Sequence, residues 1–183
     1  MSNTVKGNSL VLLTRDVMAS MVPSGARILL HAGTEVSITQ ELGNSVTVNV
    51  YGNLARIDHK DADSLGREVA AELLDIPSSL SAKDRVWHQL SRVYDPEIPV
   101  NIVDLGLIYR VALDEVSSSS SIVTITMTLT APGCGMGPVI VEDVKYSVLA
   151  LPEVSDVEVD LVFDPPWSKS MMSDMAQLEL GVL

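Results

Sequence analysis

One stretch of eight residues alternates strictly between apolar and polar side chains, and it constrains the fold more than any other part of the chain. Its apolar members are Val123, Ile125, Met127 and Leu129, and its polar members are Thr124, Thr126, Thr128 and Thr130. Successive side chains of a strand point to opposite faces of a sheet, so the pattern predicts a β-strand with one buried face. A slip of one residue would bury every threonine, and the register is therefore strongly specified. Pro132 is expected to end this strand.

The residues before this strand predict a helix and a partner strand. Ser81, followed by Asp84 three residues later, resembles a capping box and predicts the start of a helix. This helix is expected to stop at Asp95, because a proline follows and disfavours helical geometry there. Alternation over residues 107–113 predicts a strand, and the five consecutive serines at 117–121 predict a flexible hairpin loop.

The residues after the strand complete the domain. Pro138 suits the first turn of a second helix. Alternation over 157–163 predicts a third strand, and a short helix is expected from about 173 to 180, closing on Gly181. The predicted order is helix, strand, strand, helix, strand, helix. That order indicates an α+β fold in which the helices pack on one face of a small sheet.

The first part of the chain, up to about Ile57, predicts a separate, mostly β domain. Short runs with period-2 alternation, such as 46–50, are separated by turns rich in Gly, Asn and Pro. The polar passage that follows leads into apolar spacing that allows a short helix before Pro77. We therefore predict two domains, a β-rich domain with linker over 1–78 and an α+β domain over 79–183.

The composition of the chain argues against several classes of function. The formal net charge is −12, which argues against nucleic acid and against an anionic membrane surface, because both need clustered basic residues. No stretch approaches the ~18 apolar residues of a membrane span, and Arg15 and Asp16 interrupt the first apolar run too early for a signal peptide. The single cysteine excludes an intramolecular disulfide framework and suits a reducing compartment. We expect a cytoplasmic protein.

That cysteine, Cys134, lies in the turn between the threonine-rich strand and the second helix. Gly133, Gly135 and Gly137 surround it. Glycines allow close backbone approach, and a helix N-terminus adds partial positive charge. Both features stabilise a thiolate, the form that reacts and binds metal. Most free cysteines are instead small buried hydrophobes, but such a residue would not need three flanking glycines, which favours a thiol that is used.

A thiol enzyme is the first use to weigh. A nucleophilic cysteine needs a neighbouring base. The candidates are His31, His59 and His88, and no motif places any of them beside Cys134. We therefore expect no catalytic residues.

Metal binding is the second use. Asp95, Glu97 and Asp104 lie in one turn pinned by prolines, and their carboxylates are hard ligands suited to iron. The same residues are compatible with a structural role, in which Asp95 ends the helix and Asp104 forms an Asx turn. A cluster usually takes four ligands. One thiolate per chain, or two in a homodimer, would need borrowed ligands, so any cluster held here would be labile and easily passed on.

Several motifs of the second half occur together in a known order. They are Asp95-Pro96-Glu97, Val103-Asp104-Leu105-Gly106-Leu107-Ile108-Tyr109, Met127-Thr128-Leu129-Thr130-Ala131-Pro132-Gly133-Cys134, Val157-Glu158-Val159 and Phe163-Asp164-Pro165-Pro166-Trp167. Over residues 82–183 this set resembles the small α+β domain of the PaaD-like family, which is linked to iron–sulfur protein maturation.

Motifs of the first half resemble the extra domain of the SufT-type members of that family, which are associated with the SUF iron–sulfur system. They are Arg15-Asp16-Val17, Pro23-Ser24-Gly25, Ile38-Thr39-Gln40-Glu41-Leu42-Gly43, Arg56-Ile57-Asp58 and Asp61-Ala62-Asp63-Ser64-Leu65-Gly66.

The resemblance implies an accessory factor in iron–sulfur cluster assembly and in the maturation of client proteins. It implies one site for transient iron or a cluster, formed by Cys134, Asp95, Glu97 and Thr130, with Asp104 joining Cys134 as a metal ligand. The implied partners are SUF assembly or carrier proteins and client iron–sulfur apoproteins. Two modes stay open, transient carriage through Cys134 and a metal-free adaptor that docks carriers or clients; a homodimer also stays open.

Overall fold

The computed structural model describes residues 9–43, 45–67, 76–77 and 79–182. The chain divides into two compact units, Met1–Ala70 and Ala71–Leu183, called here the N-terminal and C-terminal units. The division falls before the boundary predicted between 78 and 79, and the roles assigned to the two domains stay predictions. The short helix predicted before Pro77 involves residues 68–75, which lie outside the described ranges.

The N-terminal unit is a six-stranded antiparallel sheet. Its strands are β1 (Ser9–Leu12), β2 (Val17–Met21), β3 (Arg27–Leu30), β4 (Glu35–Leu42), β5 (Ser45–Val50) and β6 (Asn53–Asp58), in the order β1-β4-β5-β6-β2-β3. The alternating residues Val46 and Val48 of β5 are completely buried, as is Ile57 of β6. A 3₁₀ helix, His59–Leu65, follows β6. The prediction of a mostly β N-terminal part is confirmed.

The C-terminal unit has the predicted element order. Its elements are α1 (Ala82–Leu90), β7 (Ile108–Ser117), β8 (Ser120–Met127), α2 (Gly137–Leu149), β9 (Val154–Leu161), a 3₁₀ helix (Lys169–Met171) and α3 (Asp174–Glu179). The sheet order is β7-β8-β9, with β7 antiparallel and β9 parallel to the central strand. The parallel β8–β9 pair needs a crossover, which α2 provides. The α+β prediction is therefore confirmed.

The threonine-rich strand is the central strand, β8. Val123, Ile125 and Met127 are completely buried, which confirms the predicted buried face. The strand ends at Met127, earlier than the end expected at Pro132. Beyond Met127 the chain still makes one cross-chain bond, from the Thr128 amide to the Leu107 carbonyl at 2.8 Å, before it turns away.

Two boundaries differ from the sequence-based expectation. Helix α1 ends at Leu90 and not at Asp95. Tyr94 lies beyond the helix and forms an isolated antiparallel bridge with Asn101. The loop expected over the five serines is only the turn between Ser117 and Ser120. Those two residues pair with each other, and their pairing extends the β7–β8 hairpin.

Candidate functional site

Three loops leave the sheet of the C-terminal unit at the same end. Ile108 at the start of β7 pairs with Met127 at the end of β8, and Met127 pairs with Leu161 at the end of β9. We call the three segments the acidic loop (residues 91–107), the cysteine loop (128–136) and the tail loop (162–173). The sheet topology therefore brings the acidic turn and the cysteine of the sequence prediction to one end of the unit.

Asp95 organises the first turn of the acidic loop. Its Oδ1 accepts hydrogen bonds from the Glu97 amide at 2.8 Å and from the Ile98 amide at 2.9 Å. The Asp95 residue is only 7% exposed, whereas Glu97 is exposed. The carboxylate thus replaces water for two backbone donors, the usual work of an Asx turn. The structural role expected for Asp95 at a helix end is wrong, since the residue caps this turn.

Asn101 organises the second turn of the acidic loop. Its Oδ1 accepts from the amides of Val103 at 3.0 Å and Asp104 at 2.9 Å, and its Nδ2 donates to Asp104 Oδ2 at 2.6 Å. The Asx turn expected at Asp104 is therefore made by the Asn101 side chain. Asp104 takes part in this turn by donating its amide to Asn101 and by accepting a hydrogen bond from it. The sequence analysis did not single out Asn101. A signal was available, because this asparagine lies three residues before Asp104 in a segment that has prolines before it and a glycine after it.

The cysteine loop holds Cys134 half-buried at the start of α2. Its amide donates to the Ala131 carbonyl at 3.4 Å, and its carbonyl accepts from the amide of Gly137, the first residue of α2, at 3.1 Å. Gly133 has a φ of +79°, and a Cβ on Gly137 would lie 2.8 Å from Leu129 Cδ1. The turn and the packing therefore explain two of the three glycines around the thiol without reference to its use.

The tail loop is bound to the acidic loop. Trp167 Nε1 donates to the Leu105 carbonyl at 2.7 Å, and the Ser173 amide donates to the Asp104 carbonyl at 2.8 Å. Gly106, the next residue of the acidic loop, lies so close to Met171 that an added Cβ would come within 2.1 Å of the Met171 carbonyl oxygen. The backbone of the acidic loop is thus held from the side by the tail loop, a contact that sequence patterns did not indicate.

The predicted ligands share one end of the sheet but do not form a closed ligand set. The bond from Thr128 to Leu107 joins the cysteine and acidic loops, and half-buried Thr130 follows two residues later. Within the described residues, no group of three or more His, Cys, Asp or Glu side chains could hold a metal ion. Thr128 is completely buried, and its Oγ1 has no hydrogen-bond partner there. The ligand roles given to Cys134, Asp95, Glu97, Thr130 and Asp104 stay predictions.

The histidines weighed as bases lie on other elements. His31 faces Asp16 in the N-terminal unit, with 3.4 Å between Nδ1 and Oδ2. His59 begins the 3₁₀ helix of that unit, and His88 lies in the last turn of α1. The structure shows no bond from any of them to Cys134. The expectation of no catalytic residue stays a prediction.

Arg15 joins two segments of the N-terminal unit through ion pairs. Arg15 Nη2 lies 2.8 Å from Asp61 Oδ1 and 2.6 Å from Asp63 Oδ1, and its Nε donates to Asp63 Oδ2 at 2.7 Å. The two-point contact with Asp63 ties the segment before β2 to the 3₁₀ helix. The hydrogen bonds from Arg15 hold the pKa of Asp63 below its usual value.

In the described ranges, no helix has the length and apolar character needed to cross a membrane.

The match to a known protein family lies within the C-terminal unit. The family model described as "Iron-sulfur cluster assembly protein" matches residues 83–161. That range holds both the acidic and the cysteine loop, whereas the tail loop and the N-terminal unit lie outside it. The match therefore concerns the part of the chain in which the predicted ligands lie.

Three bacterial proteins are similar to this chain over about half its length. An "Fe-S protein maturation auxiliary factor" of Porphyromonas gingivalis is 48% identical over 104 residues, which are 57% of this chain and 95% of that protein. The factor YitW of Bacillus subtilis is 45% identical, over 55% of this chain and 94% of its own length. The factor SufT of Staphylococcus aureus is 47% identical, over 49% and 98% respectively.

The chain belongs to the family of Fe–S protein maturation auxiliary factors. It is an accessory factor in iron–sulfur cluster assembly and maturation. The three relatives are matched over almost their whole length by about half of this chain, so the remaining half is additional to what they contain.

Proposed function

We propose that the protein receives iron or an iron–sulfur cluster through Cys134 and hands it to client apoproteins. The observation that carries this proposal is the hydrogen bond from the Thr128 amide to the Leu107 carbonyl, 2.8 Å long. It holds the cysteine loop against the acidic loop at one end of the sheet. The only thiol of the chain thus lies in a loop at the same end of the sheet as the loop that carries the carboxylates suited to iron.

The donor set favours transfer over storage. The chain has one cysteine, and a cluster is usually held by four ligands. Asp95 Oδ1 already serves two amides, and Asp104 Oδ2 accepts from Asn101. A carboxylate has about four lone-pair sites, so both groups keep capacity for a metal. A cargo bound by Cys134 and these oxygens would complete its coordination with ligands from a donor or a client, and could be exchanged between them.

Anaerobic reconstitution with iron and sulfide tests the proposal. The proteins compared are wild type, Cys134→Ser and Met175→Ser. The last variant also removes a sulfur, but from a 73% exposed residue of α3. We expect wild type and Met175→Ser to develop visible charge-transfer absorption and to transfer it to an apoprotein, and Cys134→Ser to lose both. Carriage through this thiol is refuted if all three proteins colour equally or if none colours.

A second candidate function is a metal-free adaptor, and the surface of β9 favours it. Asp156, Glu158 and Asp160 are exposed and alternate along this strand. Like charges spaced along one strand are suited to a partner with a basic patch. If the adaptor is correct, pull-down of SUF components survives Cys134→Ser and is lost in Glu158→Lys. The opposite pattern rules out docking through this surface.

The proposal extends to partners and compartment. SUF assembly or carrier proteins would supply the cargo, and iron–sulfur apoproteins would receive it. A single free thiol suits a reducing compartment, so we place the exchange in the cytoplasm. The protein would act without a catalytic step of its own, since binding and release of cargo need no bond made or broken by a base.

A further inference from the structure

Strand β7 lies at an edge of the three-stranded sheet. Its pairing with β8 is regular from Arg110 to Glu115, and register shifts flank this segment on both sides. Within the described ranges, no strand pairs with the outer side of β7. An edge strand presents unpaired amides and carbonyls that can pair with another strand.

The side chains of this segment are arranged symmetrically about Ala112. Val111 and Leu113 lie opposite Ile125 and Val123 of β8 and therefore point to the buried face. Arg110 and Asp114 lie two residues to either side of Ala112 and point to the other face. Both charged residues are exposed, and within the described part of the chain neither forms an ion pair.

We propose that two copies of this chain pair through β7, antiparallel, about a two-fold axis that passes through Ala112. In that register Arg110 of each copy lies directly opposite Asp114 of the other. Val111 lies opposite Leu113, so apolar side chains meet on the buried face. Centring the axis on Val111 or Leu113 would lose both ion pairs, and centring it between residues would place charged side chains opposite apolar ones. Charge complementarity thus selects a second copy and one register.

The surface beside β7 is concave. A groove of about 690 Å³ runs along it, lined by Ser81–Lys83 of the α1 start and by Arg110–Asp114. The segment lining the groove is the one that the proposed pairing uses, and its centre is Ala112. Joining two such edges would give a continuous six-stranded sheet and cover the β7 edge of each copy, with β9 of each copy at the outer edges.

The proposed dimer keeps the two cysteine loops apart. The loop end of β7 begins at Ile108, four residues from the axis. At about 3.3 Å per residue, the two loop ends are roughly 26 Å apart along the strand direction. The dimer therefore does not join two Cys134 thiolates on one cluster, and the pairing stands or falls independently of cargo carriage.

Charge reversal tests the register. Analytical ultracentrifugation would compare wild type with Arg110→Asp, Asp114→Arg and the double variant, using Glu158→Lys on β9 as the matched control for a reversed charge. Because of the two-fold axis, each single reversal creates two like-charge contacts. We expect it to raise the dimer dissociation constant about tenfold, and the double variant to recover wild-type affinity. A monomeric wild type, or a double variant as weak as the singles, would overturn the proposal.

A disulfide on the axis gives a second, independent test. In Ala112→Cys/Cys134→Ser, the two new thiols would face each other with Cα atoms about 4.5–5.5 Å apart, within disulfide range. In the control Val116→Cys/Cys134→Ser, which keeps both ion pairs, the new thiols replace a 63% exposed side chain and would lie eight residues, or about 26 Å, apart. We expect mild oxidation to cross-link the first protein and not the second. No cross-link in either, or equal cross-linking in both, would contradict the register.

Discussion

Because Gly106 lies against the tail loop, a substitution at this position can separate the stability cost of backbone strain from the cost of a steric clash. Gly106 has a φ of +72°, and an added Cβ would lie 2.1 Å from the Met171 carbonyl oxygen and 2.7 Å from its carbonyl carbon. These are backbone atoms and cannot rotate away. Gly106→Ala must therefore displace the tail loop from the acidic loop.

The loss of stability expected for Gly106→Ala can be worked out from the backbone strain and from the hydrogen bonds between the tail loop and the acidic loop. Placing alanine in the left-handed region costs about 1–2 kcal/mol. Displacing the tail would also break the Trp167–Leu105 and Ser173–Asp104 hydrogen bonds, each worth about 1 kcal/mol. The expected loss in the free energy of unfolding is about 3–4 kcal/mol. Gly133→Ala is the matched control, since Gly133 has a φ of +79° and nothing lies within 4 Å of the added Cβ; it should lose only the strain.

Urea unfolding followed by tryptophan fluorescence measures this difference. Both tryptophans, Trp87 and Trp167, lie in the C-terminal unit, so the signal reports that unit alone. Gly106→Ala should be less stable than Gly133→Ala by about 2 kcal/mol, with Trp167 more exposed to a quencher. Equal stability of the two variants would refute the inference that the tail loop holds the acidic loop in place.

Two further predictions concern carboxylates. Asp95→Ala should destabilise the C-terminal unit by about 1 kcal/mol, because two amides lose their acceptor, whereas Asp95→Asn keeps an acceptor and should be close to wild type in urea; equal losses would contradict the capping role. Arg15→Gln should lower the midpoint of thermal unfolding of the N-terminal unit at pH 7. Arg15 depresses the pKa of Asp63 in the folded state, so its stabilisation is present above the unfolded pKa of about 4 and should be lost progressively as the pH falls from there through the lower folded pKa. A pH-independent difference would refute that cause.

Local patterns were sufficient for the elements of the C-terminal unit. The alternation of Val, Ile and Met with Thr around Ile125 specifies both a strand and its buried face, since no other register hides the apolar side chains. Ser81, predicted to begin the first helix, is the N-cap of α1, and its side chain accepts from the Asp84 amide. These features depend on neighbours within four residues, which a sequence displays directly.

Two expectations for the acidic loop and the helix before it were wrong. α1 stops at Leu90, and Tyr94 pairs with Asn101, a contact that helical periodicity does not contain. The turn assigned to Asp104 belongs to Asn101, which serves two amides within three residues of itself. The sequence offers several polar candidates for that turn, and only the folded chain shows which of them accepts the bonds.

The sequence by itself determined the α+β class, the order of elements and the position of Cys134 between a strand and a helix, because each follows from short-range periodicity and turn chemistry. Only the tertiary structure decided that the acidic, cysteine and tail loops share one end of the sheet. That arrangement requires β9 to run parallel to β8, and it requires Gly106 to lie against Met171 across more than sixty intervening residues. Strand direction and long-range contact are properties of the packed chain, since they depend on which surfaces are buried together.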